Sequence, residues 1–192
     1  MRKIPVEISH VSYYPETKGY TVLLKDIGDN ERYIPIVVGN HEAQTIAMAL
    51  EGVELPRPFT HDLMMDIIDE LDTEVQEILI SAIDGETYYA ELKLINPTRG
   101  IVVLDARPSD AITIALKSDI QIMVNENIFD NVQTKVENMI KPFTETRNDD
   151  NIVSIVDTAK NLKNALNRAI NDENYEVAAK LRDSLGKITK QD

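Results

Sequence analysis

The order of strand-like and helix-like segments is the feature that most limits how this chain can fold. Three short β-rich runs come first, then two helical segments, three more β-rich runs, a third helical segment and a last short strand. A sheet of parallel βαβ units would require strands and helices to alternate. We therefore predict an α+β domain with a mixed, mostly antiparallel sheet of about seven strands and about three packed helices.

Turn residues separate the predicted strands. Glycine, proline, asparagine or aspartate stands between most neighbouring runs, and Asp84-Gly85 is a strong hairpin signal that predicts a type I′ turn. The predicted strands are 4–14, 18–26, 31–38, 75–83, 86–95, 99–106 and 120–124.

Three segments have apolar residues at helical spacing. We predict helices that begin after Asn40 and after Thr60, each serving as an N-cap, and a third over 107–119 with Pro108 at its first helical position. Residues 126–141 look weakly helical. In the second helix, the spacing predicts one apolar face formed by Leu63, Ile67, Ile68 and Leu71.

Two strand-turn-helix units resemble each other, IVVGNHEAQTIAMALEG and VVLDARPSDAITIALKSD. The similarity can reflect an internal duplication, or two independent alanine-rich helices that pack closely on a sheet. Sequence leaves both explanations open. The alignment places Ile46, Ala49 and Leu50 opposite Ile112, Ala115 and Leu116.

Charge is distributed unevenly along the chain, whose net charge is −13. Residues 1–157 contain 13 Lys and Arg against 28 Asp and Glu, whereas residues 158–192 contain 7 against 5. An acidic surface repels phosphodiesters, whose binding normally depends on Lys and Arg. Passive nucleic-acid binding by the first part is therefore disfavoured, and a nuclease of this composition would need divalent cations between its carboxylates and a phosphate.

The chain has no cysteine and three histidines. This composition excludes a disulfide framework, a thiolate zinc site and a cysteine nucleophile, and it favours a reducing compartment. No stretch approaches the roughly 20 apolar residues that a membrane span requires. We therefore expect a soluble, cytoplasmic protein with no membrane partner.

The C-terminal part differs from the rest in composition. We divide the chain into a main domain at 1–141, a polar linker at 142–157 and an amphipathic αα-hairpin at 158–192. A hairpin of about 35 residues has too little core to be stable alone, so its apolar stripes need cover from the main domain, a second copy or a partner. The linker favours a docking or oligomerisation element, and we expect a homo-oligomer.

Three motifs carry a resemblance to known families. The strings PRPFTHDLMMDIIDELD, DARPSDAITIALKSDIQIMVNENIF and PIVVGNHEAQTIAMALEGVELPRP resemble the bifunctional nuclease domain over roughly residues 1–135. The tail resembles the UVR motif, with NYEVAAKLRD as its most diagnostic portion. The first resemblance implies nuclease activity on RNA and DNA. The second implies protein pairing, as UVR hairpins mediate between excision-repair nuclease subunits.

The polar residues inside these motifs are the candidates for chemistry. Asp105 and Asp110 could face one cleft, with Arg107 between them to hold a phosphate, and His61 could act as general acid or base. The predicted catalytic residues are His61, Asp62, Asp105, Arg107 and Asp110. The predicted ligands for Mg²⁺ or Mn²⁺ are Glu42, Asp105 and Asp110.

Each of these residues also has a purely structural explanation. Glu42, Asp62 and Asp110 fall in the first turn of a predicted helix, where the helix dipole stabilises a carboxylate by about 0.3–1 kcal/mol. Asp105 and Arg107 could form an ion pair across a turn. The chain contains none of the ligand spacings that are diagnostic of metal sites, such as HExxH or an EF-hand loop.

Two function classes follow from these observations. The first is a metal-assisted nuclease whose hairpin binds a protein partner or completes an oligomer; the second is a non-catalytic adaptor that acts through the hairpin. The predicted partner-binding residues are Leu162, Leu166, Tyr175, Ala178, Leu181, Arg182 and Leu185.

Overall fold

The computed structural model describes residues 2–14, 19–29, 32–53 and 57–132. Within these ranges a seven-stranded mixed sheet packs against helices, which confirms the predicted α+β class. None of the helices in these ranges is long and apolar enough to cross a membrane. The predicted linker and hairpin, together 142–192, lie outside the described residues.

Within the described ranges, every strand and helix that the sequence predicted is present in its place. Residues 126–132 are helical as well, which agrees with the predicted helix at 126–141 as far as the structure describes it. The elements are β1 Lys3–Tyr14, β2 Gly19–Asp26, β3 Tyr33–Val38, α1 Asn40–Leu50, α2 Thr60–Glu70, β4 Glu74–Asp84, β5 Thr87–Asn96, β6 Gly100–Ala106, α3 Pro108–Lys117 and β7 Ile122–Asn125.

The sheet has the strand order β3-β2-β1-β7-β4-β5-β6. Each pair of neighbours is antiparallel except β4 and β7, which run parallel. The last strand in sequence therefore lies at the centre, between the first strands of the two meanders. Sequence order alone would have left β7 at an edge of the sheet. Ile122 and Val124 of β7 are buried, however, and a buried strand needs a neighbouring strand on each side.

Six of the seven strands of this sheet belong to two βββα units, and the helices of the two units share one numbering offset. β1 to β3 with α1, and β4 to β6 with α3, are both antiparallel meanders followed by a helix. In each helix a threonine hydroxyl donates to the carbonyl four residues earlier: Thr45 to His41, and Thr113 to Ser109. The offset is 68 (113 − 45), and it supports an internal duplication. The alignment that paired Ile46 with Ile112 was out of register by two residues, because Ile46 corresponds to Ile114.

Helices α1 and α3 pack together on one face of the sheet. Their contact contains Ala43 and Ala111, both fully buried, and the adjoining Ile46 and Ile112 fill the core below. Because alanine projects only a methyl group, the two helix backbones can approach each other closely. This contact brings the first turns of α1 and α3 together.

Two helix starts differ by one residue from the prediction. The N-caps are Gly39 and Phe59, whose backbones are extended, and Asn40 and Thr60 are already helical. At α2 the Phe59 N–H donates to the Asp62 carboxylate at 2.7 Å. Asp62, the third residue of α2, therefore caps the helix, whereas the sequence predicted that Thr60 would.

Helix α2 also packs differently from the prediction. Its inner face is formed by Met65 and Ile68, while Leu63, Ile67 and Leu71 are 50–63% exposed. The spacing identified a helix correctly, but α2 lies against the outside of α3 and has no buried residue. Its apolar residues are distributed round the helix, so periodicity alone could not select the packed side.

The β4–β5 hairpin closes with the two-residue loop Gly85–Glu86, as Asp84-Gly85 predicted. The turn type differs. Gly85 has a φ of 60°, whereas Glu86 is not among the described residues with positive φ. A type I′ turn requires positive φ at both central positions, so this pattern is that of a type II′ turn.

Candidate functional site

Arg107 lies at the centre of a cluster formed by the first turns of α1, α2 and α3. Its Nε donates to Asp110 Oδ2 at 2.6 Å and its Nη2 to Asp110 Oδ1 at 2.9 Å. Its Nη1 donates to Glu42 Oε1 at 3.1 Å. Arg107 is the N-cap of α3, so its extended backbone turns the side chain back over the first turn. The guanidinium thus joins acidic residues from two helices.

His61 joins the same cluster from α2. Its Nε2 lies 3.2 Å from Asp110 Oδ1, and its side chain is 15% exposed. When Nε2 carries a proton, Asp110 accepts a hydrogen bond from it, and the other ring nitrogen, Nδ1, is left as a base. A carboxylate that orients an imidazole in this way is the arrangement found in acid–base catalysis. Residues 49 positions apart are therefore joined as a carboxylate–imidazole pair.

Asp62 serves the structure of α2 and its contact with α3. One carboxylate oxygen accepts the Phe59 N–H, and the other accepts a hydrogen bond from Lys117 in the last turn of α3. Burial would raise the pKa of Asp62, but the hydrogen bonds from Lys117 and Phe59 hold it below its ordinary value. With both oxygens engaged, Asp62 fixes the position of His61 beside it.

Charge pairing also sets the protonation of the cluster. Burial alone would raise the pKa of Asp110, but the hydrogen bonds and charge of Arg107, with a smaller contribution from His61, lower it. Asp110 in turn raises the pKa of Arg107. Asp110 is therefore an anion at neutral pH, and in that state it can orient a protonated imidazole nitrogen.

A cleft of about 360 Å³ opens beside Arg107. The starts of α1 and α3 both line it. Burial raises the pKa of Tyr88, whose phenol stays neutral and can donate a hydrogen bond. Two glutamates, Glu42 and Glu86, and one arginine, Arg107, are the charged residues of its lining. Its lining includes Val38, Gly39, Glu42, Tyr88, Arg107 and Ser109.

Asp105 does not belong to this cluster. It pairs in register with Glu91 of β5 and shares a sheet face with Val103. The neighbouring Val102 and Ala106 point the other way and pack against the core, on the side where α3 lies. Asp105 and Asp110 therefore lie on opposite sides of the sheet, and the suggested ion pair of Asp105 with Arg107 is replaced by those with Asp110 and Glu42.

The predicted metal ligands do not fit a divalent cation in this arrangement. Across the part of the chain that the structure describes, no group of three or more His, Asp or Glu side chains is placed to hold one. Glu42 and Asp110 are both paired with Arg107, and Asp105 faces away. A requirement for Mg²⁺ or Mn²⁺ stays a prediction.

Sequence reasoning missed two residues of the site. Lys117 lies seven positions after Asp110 on α3, and a basic residue in the last turn of a helix gave no hint of its pairing with Asp62. Tyr88 belongs to an ordinary strand pattern. The acidic start of α2 and the basic end of α3 are both visible in the sequence. The packing that brings them together is not.

Comparison with known proteins identifies the domain. Residues 22–137 match the bifunctional nuclease domain, and residues 158–191 match the UvrB/uvrC motif. Because the first match covers more than half of the chain, this protein belongs to the bifunctional nuclease domain family.

Relatives from bacteria and plants agree with this membership. An uncharacterized protein of Mycobacterium tuberculosis is 42% identical over 107 residues, which are 56% of this chain and 63% of that protein. Bifunctional nucleases 2 and 1 of Arabidopsis thaliana are 28% and 27% identical over 168 residues, 81% of this chain. The match spans only 51% and 52% of the two plant proteins.

Proposed function

We propose that this chain is a nuclease that hydrolyses phosphodiester bonds of RNA or DNA, with His61 as its proton-transfer group. The observation that carries the proposal is the hydrogen-bonded chain from His61 through Asp110 to Arg107, which reaches a cleft at Arg107 in a bifunctional nuclease domain. Plant relatives of this domain are named bifunctional nucleases.

Each residue of the chain has a role in the proposed reaction. Asp110 holds the imidazole of His61 in one orientation, and Nδ1 takes a proton from the attacking water or hydroxyl. Arg107 uses three of its five N–H donors on Asp110 and Glu42, which leaves two for a phosphate oxygen. Its side chain is 65% exposed, so those donors are accessible to substrate.

The net charge of Glu42, Asp110 and Arg107 determines what phosphate binding requires. Glu42 and Asp110 together outnumber Arg107 by one negative charge. Phosphate binding at this site therefore requires further positive charge. The same imbalance is the reason to include divalent cations in the assay.

Cleavage by the purified full-length protein tests the proposal. Single-stranded RNA and DNA are incubated with wild type, His61→Asn and the control His41→Asn in Mg²⁺, Mn²⁺ or EDTA. His41 is exposed on α1, and its side chain is not part of the hydrogen-bonded chain of His61, Asp110 and Arg107. Loss of His61 should lower the rate by about 100-fold or more, the scale of general acid–base catalysis, with His41→Asn close to wild type. Equal rates for the two variants, or no cleavage by wild type, would favour the non-catalytic adaptor.

We also propose that 158–192 binds protein, either a partner or a second copy. The match of 158–191 to the UvrB/uvrC motif supports this, as does the apolar stripe of the predicted hairpin. Binding through this segment would place the nuclease domain beside its partner.

A further inference from the structure

Gly39 occupies the position in the first βββα unit that corresponds to Arg107 in the second. The same offset of 68 that relates Thr45 to Thr113 relates the two N-cap residues, Gly39 and Arg107, and the two first-turn acids, Glu42 and Asp110. In α3 the N-cap arginine pairs with the acid of its own helix, whereas the N-cap of α1 has no side chain. One arginine therefore serves two equivalent acids.

The usual reasons for a glycine at a helix start do not explain Gly39. Its φ of −72° and ψ of 171° form an extended conformation that any residue adopts. Serine or asparagine is at least as good an N-cap, and no side chain caps α1. A Cβ built on Gly39 would instead lie 2.5 Å from Glu42 Oε2, closer than such atoms approach. The absence of a side chain at position 39 leaves room for the Glu42 carboxylate.

Glu42 is the more weakly held of the two acids on Arg107. Asp110 accepts two hydrogen bonds from the guanidinium, of 2.6 and 2.9 Å, whereas Glu42 accepts one, of 3.1 Å. Among the residues that the structure describes, the Glu42 carboxylate has no other hydrogen-bond or ion-pair partner. A single hydrogen bond is exchanged more easily than a bidentate pair, so Glu42 is the acid that another anion can replace.

A phosphodiester in the cleft would meet Glu42 at the guanidinium. Gly39, Glu42 and Arg107 all line this cleft. A phosphate oxygen accepts hydrogen bonds from a guanidinium in the same geometry as a carboxylate oxygen, so it competes for Nη1. A phosphate on the remaining donors of Arg107 would also lie close to the Glu42 carboxylate, and the two like charges repel each other.

We propose that Glu42, in the space that Gly39 leaves, is an internal anion on Arg107 that a phosphodiester must displace, and that the Gly39–Glu42 pair thereby limits the affinity of the cleft for nucleic acid. The inference rests on the proposed function for the identity of the ligand. Removal of the Glu42 charge frees Nη1 and leaves Arg107 balanced by Asp110 alone. A side chain at position 39 forces the Glu42 carboxylate to move and should have a smaller effect in the same direction.

Binding of a fluorescent single-stranded oligodeoxynucleotide to the full-length protein tests the role of Glu42. Phosphorothioate linkages and EDTA suppress cleavage, and fluorescence anisotropy at low salt gives the Kd. Glu42→Gln and Glu42→Ala should each lower the Kd by about tenfold or more, because a negative charge beside the phosphate is removed. Glu70→Gln, at an exposed position of α2, removes the same charge elsewhere and should leave the Kd within about twofold of wild type. Binding is the readout because Glu42 also positions Arg107 for turnover.

A double-mutant cycle tests the role of Gly39. Gly39→Ala should lower the Kd by about threefold in the wild-type background and should have no effect in the Glu42→Ala background, where no carboxylate remains to be moved. An effect of alanine on the helix start itself would be the same in both backgrounds. Circular dichroism verifies that each variant is folded.

The proposal is overturned if the Glu42 variants bind no more tightly than Glu70→Gln, if Gly39→Ala acts equally with and without Glu42, or if none of the proteins binds the oligonucleotide. The cleavage assay separates this result from the proposed function. Tighter binding by the Glu42 variants without cleavage by wild type would support the internal anion and contradict the nuclease. Cleavage by wild type without tighter binding by the variants would do the reverse.

Discussion

Arg107 and Asp110 are joined by two parallel hydrogen bonds, of 2.6 and 2.9 Å, across the first turn of α3. This bidentate pair places Asp110 Oδ1 within 3.2 Å of His61 Nε2. The sequence predicted that the guanidinium of Arg107 holds a phosphate. In the structure it positions the carboxylate of Asp110 first, so in the proposed reaction it would contact both Asp110 and the substrate.

Replacing Arg107 by lysine should separate these functions. Lysine keeps the charge but cannot hold both oxygens of Asp110 and Glu42 in one plane, so His61 loses its fixed orientation. We expect Arg107→Lys to lower cleavage by about 10- to 100-fold and to change the free energy of unfolding by less than about 1 kcal/mol, because the side chain is largely exposed. Single-turnover cleavage and urea unfolding measure the two effects. The exposed Arg57→Lys is the control, and a matching loss in it would contradict the assignment.

Replacing Asp110 should affect catalysis more than stability. Asp110→Asn removes the charge that orients His61 and leaves a neutral group of the same size, so cleavage should fall by about 100-fold or more. The ion pair is partly solvated, and its loss should cost about 1 kcal/mol. Asp66→Asn, on the exposed side of α2, provides the comparison. A large drop in melting temperature with a proportionate loss of activity would support the purely structural role at the helix start.

Acid should destabilise the protein through buried aspartates, with Asp26 the clearest case. It is 2% exposed; burial would raise its pKa, but the Gly28 N–H and the hydrogen bonds and charge of Arg32 lower it below 3.8. A carboxyl group with a depressed pKa stabilises the fold above its unfolded value, and this contribution is lost as pH falls through the folded value. Stability should thus be level above about pH 5 and decline below about pH 4.

The variant Asp26→Asn should flatten that decline. It should also cost about 2–3 kcal/mol at pH 7, because Arg32 would lose the most buried of its acidic partners. Urea unfolding of both proteins at several pH values measures this. If the variant and wild type lose stability in parallel between pH 5 and 3, another group is responsible.

The contact between α1 and α3 should not tolerate a larger side chain. Ala111 is fully buried there, and Ala111→Leu inserts three carbons into a filled space, at a cost of about 1–3 kcal/mol. Ala82→Leu, at an exposed position of β4, should change the free energy of unfolding little. Thermal unfolding compares the two. Because the same contact aligns Glu42 with Arg107, Ala111→Leu should also reduce cleavage at temperatures where it remains folded.

The C-terminal segment gives a prediction that depends on sequence alone. Leu181→Asp places an unpaired charge in the predicted apolar stripe and should weaken partner binding or self-association, whereas Lys180→Asp, off the stripe, should not. Truncation at Thr144 should remove the interaction and leave the melting of the main domain unchanged. Light scattering and a partner pull-down measure this. Equal masses and equal partners in the wild type, the two variants and the truncated protein would show that the segment is not an interaction element.

Local sequence was sufficient for the elements. Pro108 marked the start of α3 because its ring fixes φ and it lacks the donor that a first turn leaves unpaired. Glu42, Asp62 and Asp110 do lie in the first turns of helices, as predicted, because helix starts depend on a few consecutive residues. The roles of these residues, and of His61 and Arg107, in chemistry stay predictions.

Asp105 shows where sequence could not decide. Ile101, Val102, Val103 and Leu104 are all apolar, so β6 has no alternation to tell one face from the other. Only the pairing with β5 placed Asp105 away from α3.

Sequence by itself determined the order of the elements and the residue types available for chemistry, and it indicated the similarity of two strand-turn-helix units. Tertiary structure decided which of those residues meet. His61 and Asp110 are 49 positions apart, and Glu42 and Arg107 are 65. Contacts at such separations depend on strand register and on the close packing of α1 with α3, which no local pattern specifies. The insertion of β7 between β1 and β4 has the same origin, since burial on both sides is a property of the whole sheet.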